Sequence, residues 1–325
     1  MSALIFVLAC AGLAALVGVA SSLLAVWRSQ RKVAIRGRRS AAARADAAFV
    51  LGLAPALAAL GVVGGTVLPS LLTLGGVMTD HCDDHAHHVH LCLVHGAETP
   101  AWLIALGALA LAVFSARGVR VGATTLRRQR STAALERLGT PERLAGFTAV
   151  RVPGAPRLCL ATGLFQRRIV YSASLAEHLP PAELQAALAH EAAHLRRRDT
   201  LSLGLMTLAG LFTFPTIANR LRAAFLSAAE EACDAEAAAV HGAETVAQAL
   251  VAAARLQLTV ASGLGFTGQT LTVRVSALLG SPACRAAPAR SLAITVALLM
   301  ASSVVVGLFG LDVHHAVETV LSFTD

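Results

Sequence analysis

Three residues carry the most chemistry for their spacing: His190, Glu191 and His194, in the run His190-Glu191-Ala192-Ala193-His194. This is an H-E-x-x-H string. On a helix, residues four apart share a face, so both imidazoles can present a ring nitrogen to one metal ion. Glu191 points beside that face, where it can take a proton from water held at the ion. A catalytic zinc needs a third protein ligand and an open fourth position. The acid-rich run Ala229-Glu230-Glu231-Ala232-Cys233-Asp234 offers one. Glu230 and Asp234 are four apart on one helical face. Glu230 would bind the ion, and Asp234 would accept the far ring N–H of a ligand histidine and fix its tautomer. Glu231 is a rival ligand on position alone.

The motif needs a helix beneath it. Leu179-Pro180-Pro181 followed by Glu183 marks a helix start, and the alanines and leucines up to His190 favour its continuation. Ahead of it, residues 147–152, 157–162 and 168–172 read as short strands, separated by Pro153-Gly154 and Gly163.

Around this region the chain has the composition of a membrane protein. Of its 325 residues, 56% are hydrophobic and 14% charged, against about 25% charged in an ordinary soluble domain. Residues 3–27 form an uncharged run long enough to span a bilayer. No basic segment precedes it, which argues against a signal peptide. Arg28, Arg31, Lys32, Arg36, Arg38, Arg39 and Arg44 follow, placing this loop in the cytoplasm by the positive-inside rule. Residues 47–77 form a second run, longer than one span needs and interrupted by Pro55, Gly64-Gly65 and Pro69, which suggests tilt, a kink or continuation outside. A third run covers 101–116, before Arg117, Arg120, Arg127, Arg128 and Arg130. A fourth covers Leu292 to Leu311, and its tail has acids but no base. Four spans with both termini outside the cytoplasm satisfy every loop.

The expected fold is therefore α+β: a polytopic helical membrane protein of about four spans with a mainly helical cytoplasmic peptidase domain holding a small β-sheet. Residues 1–116 form a membrane region with three spans, 117–290 the peptidase domain, and 291–325 the last span with a short tail. The expected location is the plasma or inner membrane, multi-pass. Membrane lipid is a partner. Despite a net charge of +8, the arginines flank apolar runs, and no nucleic-acid-reading motif is present.

Leu201 to Ala218 is also apolar. One crossing would carry Glu230 about 27 Å from the histidines, yet one ion must touch both. The segment reads instead as a buried or membrane-resting helix broken near Pro215.

These residues together resemble integral-membrane zinc peptidases of the gluzincin type, and are most similar to the antirepressor family that includes the beta-lactam sensor-transducer receptors. The resemblance is carried by Leu179 to Asp199, by the strand–glycine–strand run Arg157 to Tyr171, by Phe214-Pro215, by Glu230-Glu231-Ala232-Cys233-Asp234, and by Arg274-Val275-Ser276-Ala277-Leu278-Leu279. It covers residues 140–280 well and the spans only in layout. It implies a zincin fold, one catalytic Zn2+ on His190, His194 and Glu230, and Glu191 as the base that later protonates the leaving amine. It also implies a cytoplasmic protein substrate, such as a transcriptional repressor, cleaved on an outside signal. The receptors carry a large extracellular domain after the last span, whereas about fourteen residues follow Leu311 here, so their signal does not transfer. Membrane-protein quality control is an alternative function, and a non-catalytic metal-sensing regulator another. For an oxyanion donor, Arg220, Arg222 and His241 are the candidates. Arg196 to Arg198 read as a solvated or lipid-headgroup-facing turn, and Cys233 as a small packing residue.

Residues 78–99 hold no lysine or arginine but carry His81, His85, His87, His88, His90 and His95 beside Asp83 and Asp84. This composition suits a second, transition-metal site in an extracytoplasmic loop, or a pH sensor. Cys82 and Cys92 fit either a disulfide or soft ligands.

Overall fold

The structure is a computed structural model and describes residues 2–31, 40–77, 91–92, 96–97, 99–144, 146–154, 158–164, 166–258, 268–280 and 291–323. The six loop histidines His81, His85, His87, His88, His90 and His95, and Cys82, lie outside the described residues.

The chain opens with α1 (Ser2–Arg31) and α2 (Ala41–Leu74). Ser40 caps α2 by accepting the Ala43 N–H at 3.3 Å. α2 runs on through Pro55 and Pro69 as one helix. Prolines are tolerated in a bundled membrane helix because its neighbours re-satisfy the freed backbone. A two-residue ladder, β1 (Leu91–Cys92) with β2 (Gly96–Ala97), precedes α3 (Ala101–Leu138). α3 extends 22 residues past the apolar run that ends at 116, and Arg120, Arg127, Arg128 and Arg130 are exposed along it.

Among the described residues, three helices are long and apolar enough to cross a membrane: Ala3–Ala25, Ala41–Leu74 and Ala101–Leu138. α1 packs between α2 and α3. Its approach to α3 is backbone to backbone, since a Cβ at Gly107 would overlap the Leu8 carbonyl.

Next comes a four-stranded mixed sheet of β3 (Thr140–Leu144), β4 (Phe147–Val152), β5 (Cys159–Thr162) and β6 (Arg168–Ser172), in the order β3-β4-β6-β5. β4 and β6 run parallel, and the outer pairings are antiparallel. Ile169 and Tyr171 of β6 and Ala149 of β4 pack against Leu188, Ala192 and Leu195 of the H-E-x-x-H helix. β5 is an edge strand, and it lies along that helix.

The rest is helical: α4 (Ala173–His178), α5 (Pro181–Arg197), α6 (Asp199–Ala209), a 3-10 turn (Gly210–Phe212), α7 (Pro215–His241), α8 (Ala243–Leu258), α9 (Gly268–Gly280) and α10 (Ser291–Ser322). The apolar run after α5 folds back on itself, and the break falls at Gly210–Phe214, just before Pro215. The tip of this hairpin is wedged among the first three helices. Phe212 stacks near Phe114 of α3 with centroids 5.2 Å apart. Arg117 donates to the carbonyls of Leu211 at 2.9 Å and Thr213 at 3.0 Å, and to that of Gly210. These carbonyls lie at the C-terminal end of α6 and its turn, where helical partners run out; that of Gly210 also accepts the Thr213 N–H at 3.2 Å. Below the tip, Phe49 and Leu53 of α2 share one apolar core with Met206, Leu221, Phe225 and Ala228. The stretch expected as a fourth span lies in α10, which bends at Phe309 and packs along α2.

Candidate metal centre

α5 begins at Pro181 with Glu183 in its first turn and ends at Arg198. Arg198 adopts φ 58° and ψ 36°, a left-handed geometry that disfavours a side chain. That turn reverses the chain and brings Asp199 back beneath His194. On α5 the Nε2 atoms of His190 and His194 are 3.2 Å apart. Glu230, delivered by α7, places Oε2 3.4 Å from His190 Nε2 and Oε1 3.5 Å from His194 Nε2.

The far sides of the rings are held by carboxylates. His194 Nδ1 is 2.9 Å from Asp199 Oδ2. His190 Nδ1 is 2.9 Å from Asp234 Oδ1, although its N–H points off the ideal line. These partners assign the imidazole protons to Nδ1, which turns both Nε2 lone pairs toward each other and toward Glu230. Three electron-pair donors so close repel unless a cation or protons lie among them. Their spacing fits an ion. Bonds of about 2.0 to 2.1 Å to a tetrahedral zinc imply donor atoms about 3.3 Å apart. Two imidazoles and a carboxylate also suit zinc chemically.

Arg274 of α9 closes the cluster. Its guanidinium reaches Asp234 in a fork, Nε to Oδ2 at 2.7 Å and Nη2 to Oδ1 at 2.6 Å, and its Nη1 is 2.9 Å from Glu230 Oε2. Glu191 turns the other way. Its Oε2 accepts the Ala161 N–H of β5 at 2.7 Å.

Burial pushes the Glu191 pKa up, and Glu230 adds to this, against the lowering effect of the histidines and the Ala161 amide. Burial also opposes charge on His190 and His194. The carboxylates Asp234 and Glu230 outweigh it at His190, whose pKa is raised. At His194, Cys233, Asp199 and Glu230 outweigh it and the rise is larger. Burial would raise the Glu230 pKa, but its contacts with both histidines bring it well below the usual carboxylate range.

The cluster opens on a cleft of about 430 Å³. One wall is β5, with Leu160 and Ala161. The opposite wall is largely apolar, with Leu179, Val246 and Leu250. Leu158 bonds to Ser172 of β6, so by the two-residue period the amides of Cys159 and Ala161 face away from β6.

The structure brings together His190, His194, Glu230 and Asp234, and sets Glu191 against β5. The rival ligand Glu231 instead pairs with Arg44 at the start of α2. Arg220, Arg222 and His241 do not line the cleft, whereas Arg274 does. The turn Arg196–Arg198 is not uniformly solvated: Arg197 is buried with Nε 3.2 Å from Asp199 Oδ2. Cys233 is buried, as expected, but does more than fill space, with Sγ 3.3 Å from His194 Nδ1. The sequence reading gave no role to Asp199 or Arg274. The signal for Asp199 was its place directly after a basic turn that closes the motif helix.

No curated protein and no solved structure matches the chain. One family model does, described as BlaR1 peptidase M56, over residues 66–277. That span is well over half of the 325 residues and contains every residue of the cluster. The chain belongs to the M56 peptidase family, a family of metallopeptidases.

Proposed function

We propose that this protein is a membrane zinc endopeptidase that cleaves a cytoplasmic protein, such as a transcriptional repressor, in response to an extracytoplasmic signal. The observation that carries the reading is the spacing of His190, His194 and Glu230, three donors set for one ion with a carboxylate, Glu191, beside them. α10 serves as the fourth span, and the arginines after α1 and along α3 keep the cleft on the cytoplasmic side.

Bound zinc supplies Lewis acidity, which polarises a carbonyl and brings the pKa of water toward neutrality. The chain's residues do the rest. An extended peptide adds to the outer edge of β5 beside the Ala161 amide that Glu191 occupies, where main-chain pairing aligns it and the apolar wall receives a side chain. Glu191 holds a carboxylate oxygen at that edge and accepts the proton of the attacking water, then passes it to the leaving amine. Asp199 and Asp234 hold the imidazoles in the tautomer that leaves Nε2 available. Arg274 offsets part of the negative charge that Asp234 and Glu230 bring close together.

The test is Glu191→Gln in the full-length protein. It should keep one equivalent of zinc and lose about 10²- to 10⁴-fold in cleavage rate. Comparing cellular proteomes of the wild type and Glu191→Gln should reveal a cytoplasmic protein that persists in the variant. Full cellular function in Glu191→Gln would favour a non-catalytic regulator instead.

A further inference from the structure

The helices that flank residues 78–99 both reach the site at their other ends. α2 ends at Leu74 and α3 starts at Ala101, so the loop expected outside the membrane joins these two termini. At the opposite end of α2, Arg44 pairs with Glu231, the neighbour of Glu230. That contact is extended by packing, with Phe49 of α2 against Phe225 of α7 at a centroid distance of 6.3 Å. At the opposite end of α3, Glu136 accepts the Thr162 hydroxyl at 3.1 Å and the Arg168 Nη1 donor at 2.9 Å. Thr162 follows Ala161, whose amide holds Glu191 at 2.7 Å.

From this arrangement we infer that Arg44 and Glu136 are positioning residues, which tie the ligand Glu230 to α2 and the base Glu191 to α3. The inference rests on the peptidase reading above. The two linkages are short. The partner of Arg44 is bonded directly to Glu230 in the chain, and one peptide unit and one hydrogen bond separate the partner of Glu136 from the Glu191 carboxylate. They run to different helices, α2 and α3, each of which packs on α1. A displacement of α2 relative to α3 therefore moves the ligand and the base against each other. Misplacement by about 1 Å is enough to cost about a hundredfold in rate. Both ion pairs are partly exposed, and such pairs add little to stability. Their consequence is registry.

The experiment uses the full-length protein in phospholipid nanodiscs, with Co2+ as the metal probe and fluorescein-labelled casein as the substrate. Arg44→Gln should weaken Co2+ binding about tenfold and shift its visible absorption bands, as loss of a residue behind a ligand does. Arg44→Lys should restore both. Glu136→Gln should leave the Co2+ spectrum and affinity unchanged while lowering kcat about tenfold at constant KM. Thr162→Val removes only one contact of Glu136 and should give the same pattern in milder form, which guards against a folding defect in Glu136→Gln. Wild-type behaviour in Arg44→Gln and Glu136→Gln, or equal loss of Co2+ binding in both, overturns the inference. A wild type that binds Co2+ but cleaves nothing overturns the peptidase reading, and the Arg44 linkage is then decided by the Co2+ spectrum alone.

Discussion

Protons compete with any cation for His190 and His194. The carboxylates around them overcome burial and raise both pKa values. In the metal-free protein these rings therefore stay protonated above the ordinary histidine range, near 6.5. Metal binding must expel those protons. The apparent affinity for Co2+ should climb with pH through the raised values, with proton release that a pH indicator detects. A binding constant that does not change with pH above the ordinary histidine range would contradict the raised values. Stability of the metal-free form has the opposite sign. A raised folded-state pKa contributes stability that is complete below the unfolded value and is lost as pH rises through the folded one. The metal-free protein should thus melt at lower temperature as pH rises across that window, and added zinc should reverse the trend. Much of this site is legible in the sequence, because i, i+4 spacing on a helix fixes which side chains meet. The pairs His190 with His194 and Glu230 with Asp234 follow from it, while the choice of Glu230 over Glu231 rests on the resemblance. Asp199 and Arg274 do not follow from the spacing. Asp199 reaches His194 only through the left-handed turn at Arg198, where no glycine advertises the reversal. Arg274 is forty residues beyond Asp234, on another helix.

Helices and strands repeat that contrast. β4 and β6 form where alternation and the bounding glycines predict them, at 147–152 and 168–172. β3 carries no strand signal in the sequence, since Thr140-Pro141-Glu142-Arg143-Leu144 has a proline and two charges. It tolerates both because it is an edge strand, where an amide is dispensable. α2 is longer than one span needs, as the apolar run at 47–77 predicts, and it continues through its prolines. Propensity penalises Pro55 and Pro69, but packing by α1, α7 and α10 outweighs it. Helix packing gives a direct prediction. At Gly107 an added Cβ would overlap the Leu8 carbonyl, whereas at Gly118 of the same helix it meets nothing within 4 Å. Gly107→Val should separate α1 from α3 and cost about 1–3 kcal/mol or more. Gly118→Ala should be neutral or stabilising by up to about 1 kcal/mol. Thermal unfolding in detergent separates the two, and equal melting temperatures would show that α1 and α3 do not touch at Gly107.

At the level of the whole molecule, the apolar core that supports α7 is built partly from α2, a helix of 34 residues and about 51 Å. The metal-ligand helix and a candidate span are thus packed as one body, while the sheet that anchors Glu191 is reached from α3. Composition and charge predict the apolar runs well, because a bilayer imposes length and polarity on each. They say nothing of which span touches which part of the site, since that depends on contacts between residues far apart in sequence, such as Arg44 with Glu231. This division predicts how the histidine-rich loop acts. Replacing residues 81–95 by a glycine–serine linker of equal length alters the chain segment that joins α2 to α3. In the otherwise wild-type protein it should change kcat. In Glu136→Gln the tie from α3 to the Glu191 strand is already cut, so the same replacement should have much less effect. Independent action would make the free energies of the two changes add to within about 0.5 kcal/mol. A double-mutant cycle on kcat with a coupling above that limit supports transmission through α3. Additive effects would mean that the loop influences the cleft by another route, with α2 and Arg44 as the remaining link.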